Sequence, residues 1–151
     1  MDTVTLDFCW LIPEKMRDIS LPGYETAGAA GMDVEAGLEQ SIEMFPGDIV
    51  LVPTGWAVSI PSGYELQVRP RSGIAVRYGI TLVNSPGTID SDYRGEVKIA
   101  LINLGRKPFT IVRGDRIAQL VLAQVTKAAI REIKALDVTA RGSGGFGHTG
   151  V

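Results

Sequence analysis

Arg69-Pro70-Arg71-Ser72-Gly73 sets guanidinium, hydroxyl and side-chain-free backbone within one short stretch. Pro70 fixes the approach, Ser72 can N-cap a short helix, and Gly73 frees the main chain. Unpaired N–H groups at a helix start, joined by Arg71, make an anion site. The plainer alternative is a capped helix with a solvated arginine. A second stretch runs from Asn84 through Pro86, Gly87, Ile89 and Asp90 to Tyr93, Gly95 and Glu96. Acids in turns commonly cap backbone N–H groups, and Asp92 is read that way. Asp90 differs because it follows apolar Ile89 inside a hairpin, where a held carboxylate can orient a water as a general base.

In Gly114-Asp115-Arg116-Ile117-Ala118-Gln119-Leu120, one amide sits within an apolar strand. A buried amide must find partners. Gln119 is therefore either a core side chain satisfied by backbone or a phosphate contact, and its neighbours do not choose between the two. Asp33, in Ala30-Gly31-Met32-Asp33-Val34, alternates with apolar residues and reads as a solvated surface acid. The tail from Arg141 to Val151 has almost nothing to bury, and a disordered terminus is its simplest reading. A pure linker, however, needs neither Arg141 nor Phe146. Glycine permits close approach to a ligand, Phe offers a stacking face and Arg a phosphate fork. The tail is read as an arm that closes over a ligand. His148 within it is expected in solvent, Cys9 in the core, and Trp10 and Trp56 as packing residues.

Helical periodicity is scarce, and the elements that must position these residues are short strands cut by turns. Expected strands span 3–8, 32–36, 48–52, 56–60, 64–69, 80–83, 96–103, 109–112 and 116–125. Pro46-Gly47-Asp48, Pro61-Ser62-Gly63, Leu104-Gly105 and Arg113-Gly114-Asp115 punctuate them. The pattern predicts an all-β, jelly-roll-like antiparallel double sheet. Gly-Asp before an apolar strand occurs at Gly47-Asp48 and again at Gly114-Asp115, as if at equivalent corners. One short helix is expected after Ser72, ending at Gly79 as C-cap. Residues 128–133 read as strand or helix, and 80–83 with 97–101 as the arms of a hairpin.

With 151 residues, one domain is expected. Hydrophobic content of 45% and charged content of 21% suit a soluble globular chain. A net charge of -2 advertises no basic face, so nucleic acid is not the expected partner. A small anion remains suitable, because a few placed arginines and a metal can hold it. The single cysteine cannot form an intrachain disulfide and fits a reducing compartment. Met1-Asp2-Thr3 lacks the basic start of a signal peptide, and no apolar run approaches the ~20 residues of a membrane span. The expected location is the cytoplasm. No Cys/His cluster suggests zinc, and no Walker-type loop suggests a P-loop fold.

Taken in order, these segments resemble the homotrimeric dUTPase family. Its five motifs are Ala30-Gly31-Met32-Asp33-Val34-Glu35-Ala36, Pro70-Arg71-Ser72-Gly73-Ile74-Ala75, the run from Asn84 to Glu96, Gly114-Asp115-Arg116-Ile117-Ala118-Gln119-Leu120, and Arg141 to Gly150. The match covers nearly the whole chain beyond residue 20. Single motifs are weak signals; five in register are specific.

The resemblance implies a jelly-roll domain over residues 1–140, an arm over 141–151, and a trimer whose sites each draw on three chains. A chain of this length has a radius of gyration of roughly 15 Å. The segment after Asp137 can reach about 50 Å when extended, enough to cross onto a neighbour. The implied activity is hydrolysis of dUTP to dUMP and pyrophosphate, with Asp90 activating the water that attacks the α-phosphorus. Arg71, Ser72, Gly73, Gln119 and Arg141 would hold phosphates. Mg²⁺ would be bound by phosphate oxygens and water, with no direct protein ligand. Asn84, Thr88, Ile89 and Lys98 would read uracil, Tyr93 would lie under the deoxyribose, and Phe146 would cover the base. The alternatives are a dCTP deaminase-like enzyme of the same fold and a non-catalytic dUTP-sensing regulator.

Overall fold

The chain is known from a computed structural model, which describes residues 3–146. Eleven strands are found among them: β1 (Asp7–Trp10), β2 (Met32–Glu35), β3 (Ile42–Met44), β4 (Ile49–Pro53), β5 (Trp56–Ser59), β6 (Tyr64–Arg69), β7 (Ile80–Leu82), β8 (Gly87–Ile89), β9 (Lys98–Asn103), β10 (Phe109–Ile111) and β11 (Arg116–Gln124). One helix, α1 (Ser72–Tyr78), follows β6, and a 3-10 turn occupies Pro13–Lys15. The strands pair antiparallel into sheets ordered β1-β5, β10-β3, β2-β11-β6-β8 and β4-β9-β7. The all-β class with one short helix is thus what the alternating pattern predicts.

Alternation explains the core. In β9 the burial runs exposed, buried, intermediate, buried, intermediate, buried, so Ile99, Leu101 and Asn103 point inward. Leu66, Ile80, Ile111, Ile117 and Leu120 join them from other strands, together with Trp56. Burial of each such aliphatic side chain stabilises by about 1.5–3 kcal/mol. Phe8 meets Trp56 edge-on at 5.1 Å, a favoured arrangement for aromatic quadrupoles. Asn103 is fully buried because all its needs are met. Its amide donates to the carbonyls of Met44 and Lys107, both at 2.9 Å, and its oxygen accepts from the Gly105 N–H at 2.8 Å.

The two Gly-Asp corners are the same device. Asp48 N–H donates to Phe45 O at 3.0 Å while its carboxylate accepts from Phe45 N–H at 2.8 Å. Asp115 does both to Val112, at 3.2 and 2.8 Å. Gly47 and Gly114 each take positive φ, 90° and 82°. These turns lead from the paired strands β3 and β10 into β4 and β11. Arg113, inside the second turn, ties down the segment before β2. It bonds both Asp18 carboxylate oxygens at 2.7 Å, Leu38 O at 2.9 Å, and the Lys15 carbonyl. The Arg113 bonds to the Asp18 carboxylate are the main reason that carboxyl lies below its ordinary pKa.

Several expectations need correction. Cys9 is exposed, not in the core. On β1 the half-buried positions are Phe8 and Trp10, so Cys9 shares the outward face with Asp7. β1 begins at Asp7 rather than at residue 3. β3 was not anticipated, being only three residues long. Residues 128–133 form neither strand nor helix and are exposed. The 80–83 and 97–101 hairpin is present, with Leu82 opposite Leu101. Its connection, however, contains β8, which crosses to the other sheet and pairs with β6.

Candidate active site

The crossing of β8 builds a cavity between the sheets. Gly87 lies opposite Val68, Thr88 opposite Gln67 and Ile89 opposite Leu66. Gly87 and Ile89 are buried and Thr88 is exposed, as strand alternation requires. A Cβ at Gly87 would come within 3.1 Å of the Asn84 amide nitrogen and 3.2 Å of Val68 Cβ, so the backbone lies close to both. The resulting cavity, of about 440 Å³, is lined by Asn84, Gly87, Thr88, Ile89, Asp90, Tyr93, Glu96 and Lys98, with Leu51, Val68 and Val97 as its apolar surfaces. Six of the sequence-predicted residues, Asn84, Thr88, Ile89, Asp90, Tyr93 and Lys98, therefore meet in one place.

Asp90 opens a turn that closes through the Tyr93 N–H donating to Asp90 O at 3.2 Å. Its carboxylate is exposed on the cavity wall and makes no ion pair among the described residues. Tyr93 is half exposed, and its hydroxyl donates to Glu96 O at 2.9 Å. Glu96 is a residue to which the sequence analysis assigned no role. Its carboxylate accepts from Gly55 N–H at 3.1 Å and pairs with Lys98 at 3.5 Å. Beside it, buried Thr54 donates to Val97 O at 2.6 Å. These contacts fasten the hairpin wall to the β4–β5 turn.

A second concavity, of about 400 Å³, is lined by Asp33, Arg71, Ser72, Gly73, Ile74, Arg77, Tyr78 and Gln119. Sheet register brings Asp33 of β2 opposite Gln119 of β11, which in turn lies opposite Arg69 at the end of β6. Gln119 donates to Pro70 O at 2.9 Å. Its amide is thus satisfied by backbone, as the first reading has it, and the side chain also lines the cleft. A Cβ at Gly31 would fall 2.1 Å from the Gln119 side-chain oxygen, so only glycine permits this packing. Arg71 donates to Arg116 O at 2.9 Å and pairs with Asp33 at 3.1 Å. Asp33 also meets Arg116 at 3.4 Å. Its side chain is only 15% exposed, so it is a paired, half-buried acid and not the solvated one expected. Two guanidiniums brought to one carboxylate explain the difference. Nor does Ser72 cap α1. Arg71 is the N-cap residue, in extended conformation, and no side chain supplies a capping bond. Ser72 already belongs to the helix, leaving its hydroxyl uncommitted to a cap. Gly79 is the left-handed C-cap as expected, at φ 74°.

The two concavities share no lining residue. Arg141 and Phe146 lie in neither. Both are exposed, and Arg141 bonds back to Gly144 O at 2.8 Å. The rest of the expected arm, including His148, lies outside the described residues. Among the described residues no group of three His, Cys, Asp or Glu side chains stands ready for a metal ion. A mixed polar and apolar cavity with a carboxylate outside any ion pair among the described residues, together with a guanidinium-rich cleft, is suited to a phosphorylated ring compound and to chemistry on water.

Comparison with known proteins agrees with this class. The dUTPase family profile matches residues 17–150. The deoxyuridine 5'-triphosphate nucleotidohydrolase of Desulfotalea psychrophila is 60% identical over 146 residues, 97% of each chain. That of Caldanaerobacter subterraneus subsp. tengcongensis is 53% identical over 138 residues, 91% of this chain and 93% of its own. The chain belongs to the dUTPase family. Among solved structures, the Staphylococcus bacteriophage 80alpha dUTPase with dUpNHpp superposes with a TM-score of 0.86 at 24% identity, covering 99% of this chain and 100% of that one. The dUTPase of S. aureus phage phi11, a structure concerned with a structural Mg(II) ion, gives 0.76 at 21%, covering 87% and 97%. At those identities the likeness is one of fold.

Proposed function

We propose that the chain hydrolyses dUTP to dUMP and pyrophosphate. The observation that carries the reading is Asp90: a carboxylate without an ion-pair partner among the described residues, on the wall of a cavity lined by Asn84, Thr88, Ile89, Tyr93 and Lys98. Uracil enters that cavity. Main-chain groups around Thr88, Ile89 and Lys98, aided by Asn84, match its edge and leave groups unpaired with cytosine, which is costly in a buried site. Tyr93 carries the deoxyribose and crowds out a 2′-hydroxyl. Asp90 orients a water and takes its proton as that water attacks the α-phosphorus in line, and pyrophosphate departs. Arg71, Ser72, Gly73 and Gln119 hold the phosphates in the guanidinium-rich cleft.

Magnesium would be carried by phosphate oxygens and water, beside an Asp33 that two arginines already engage. When bound it neutralises phosphate charge. Asp33 would act on it only through a metal-bound water.

Separation of the base cavity from the phosphate cleft supports a site completed between chains. In this reading the protein is a homotrimer: one chain supplies the cleft and a second the uracil pocket. The arm of a third, from residue 141 onward, lays Phe146 over the base and Arg141 near the γ-phosphate. The exposure of Ile130, Leu136, Val138 and Phe146 is consistent with a segment that packs on another chain. The lone cysteine suits a cytoplasmic setting, and no helix among the described residues is long and apolar enough to cross a membrane.

Pyrophosphate release with dUTP and Mg²⁺, run against dCTP, dTTP and UTP, tests the activity. Turnover confined to dUTP is expected. Ammonia release from dCTP would reveal a deaminase instead, and dUTP binding without turnover would reveal a sensor.

A further inference from the structure

The guanidinium-rich cleft contains a cation that the reading above leaves unused. Arg77 lines it together with Arg71, Ser72, Gly73 and Gln119. It lies one helical turn after Gly73, on the same face of α1, and helical side chains lean back toward the N-terminus. Gly73 contributes no side chain to that face, and the space where its Cβ would stand is open.

The charge balance singles it out. Arg71 pairs with Asp33, and Arg116 pairs with both Asp33 and Glu25. Two guanidiniums against two carboxylates sum to zero. Arg77 makes no ion pair among the described residues. The net positive charge of the empty cleft thus resides on Arg77 and not on the more buried Arg71. A polyphosphate tail carries several negative charges, and a neutral ion-pair network offers it hydrogen bonds without net attraction.

We infer that Arg77 is a binding residue for the polyphosphate tail, supplying the uncompensated charge that holds the triphosphate and then the pyrophosphate product. This rests on the nucleotide reading of the cleft. The purified full-length Arg77→Gln protein is titrated with inorganic pyrophosphate by calorimetry and assayed with dUTP. Pyrophosphate affinity should fall about tenfold to a hundredfold and KM for dUTP should rise by a similar factor, since a hydrogen bond to a charged group contributes on that scale. The loss should narrow at high salt, where screening weakens the wild-type attraction. Inhibition by uncharged deoxyuridine should not change, which reports an intact base cavity. Arg77→Lys should recover part of the affinity, and Arg77→Glu should lose more than Arg77→Gln. Equal pyrophosphate affinity in wild type and Arg77→Gln overturns the assignment. The calorimetric arm needs no turnover, so a wild-type protein that binds pyrophosphate through Arg77 yet leaves dUTP intact would refute the activity and spare this inference.

Discussion

Asp90 owes its usefulness to what surrounds it. Ile89 is buried and anchored to β6, while Asp90 turns outward without an ion-pair partner among the described residues. Its accepting oxygens are therefore available to a water. Asp90→Asn keeps the shape and removes the basicity. It should bind dUTP with little change while kcat falls ~10²–10⁴-fold, the usual worth of a general base. Steady-state kinetics beside nucleotide titration checks this, and undiminished turnover removes Asp90 from the mechanism. Tyr93, held by its hydroxyl bond to Glu96 O, bears on sugar choice. Tyr93→Ala should raise kcat/KM for UTP relative to dUTP, and an unchanged ratio refutes the sugar platform. The hairpin position of Asp90 was legible from its neighbours in the chain. Asp33 was not, because its partners Arg71 and Arg116 are remote in sequence and no local pattern announces them.

At the scale of elements, the cleft depends on how closely β2 approaches β11. Gly31 precedes β2, and the Gln119 side chain occupies the place its Cβ would take. Gly31→Ala must push Gln119 aside and break its bond to Pro70 O. A destabilisation of roughly 1–3 kcal/mol is expected from overpacking, with a raised KM for dUTP; urea denaturation and kinetics measure both. Unaltered stability and KM would mean that the strands shift at no cost. Most strands were legible because alternation is a local property with a period of two. β8 was not, because three residues with a glycine carry too little alternation to register and only its pairing with β6 defines it. The Ser72 cap failed as well: serine favours caps statistically, but Arg71, extended at φ -92° and ψ 125°, is the boundary residue and Ser72 is already helical.

The whole molecule adds a question of reach. Residues 126–143 are exposed, and they carry Ile130, Leu136 and Val138 into solvent in the single chain. Truncation after Ala140 removes Arg141 and Phe146 but none of the strands. The truncated protein should show the same light-scattering mass as the full chain and the same thermal midpoint, with dUTP turnover reduced at least ~10²-fold because closure and water exclusion are lost. Full activity after truncation would make the arm dispensable. A monomeric mass for the intact protein would remove the three-chain site altogether.

The amino-acid sequence alone determined the all-β class and the short helix ending at Gly79, and it set out the motif stretches that contain Arg71, Ser72, Gly73, Asp90 and Gln119. Alternation, turn residues and motif spacing are properties of neighbours in the chain, and they can be read without a fold. Only the tertiary structure decided that Cys9 faces solvent, that Asp33 is shared by two arginines, that Glu96 fastens the hairpin to Gly55, and that Arg77 is left without a carboxylate. Each of these depends on which distant residues a folded sheet brings together. Glu96 and Gly55 stand 41 positions apart, and their meeting is set by strand register, which local sequence does not encode.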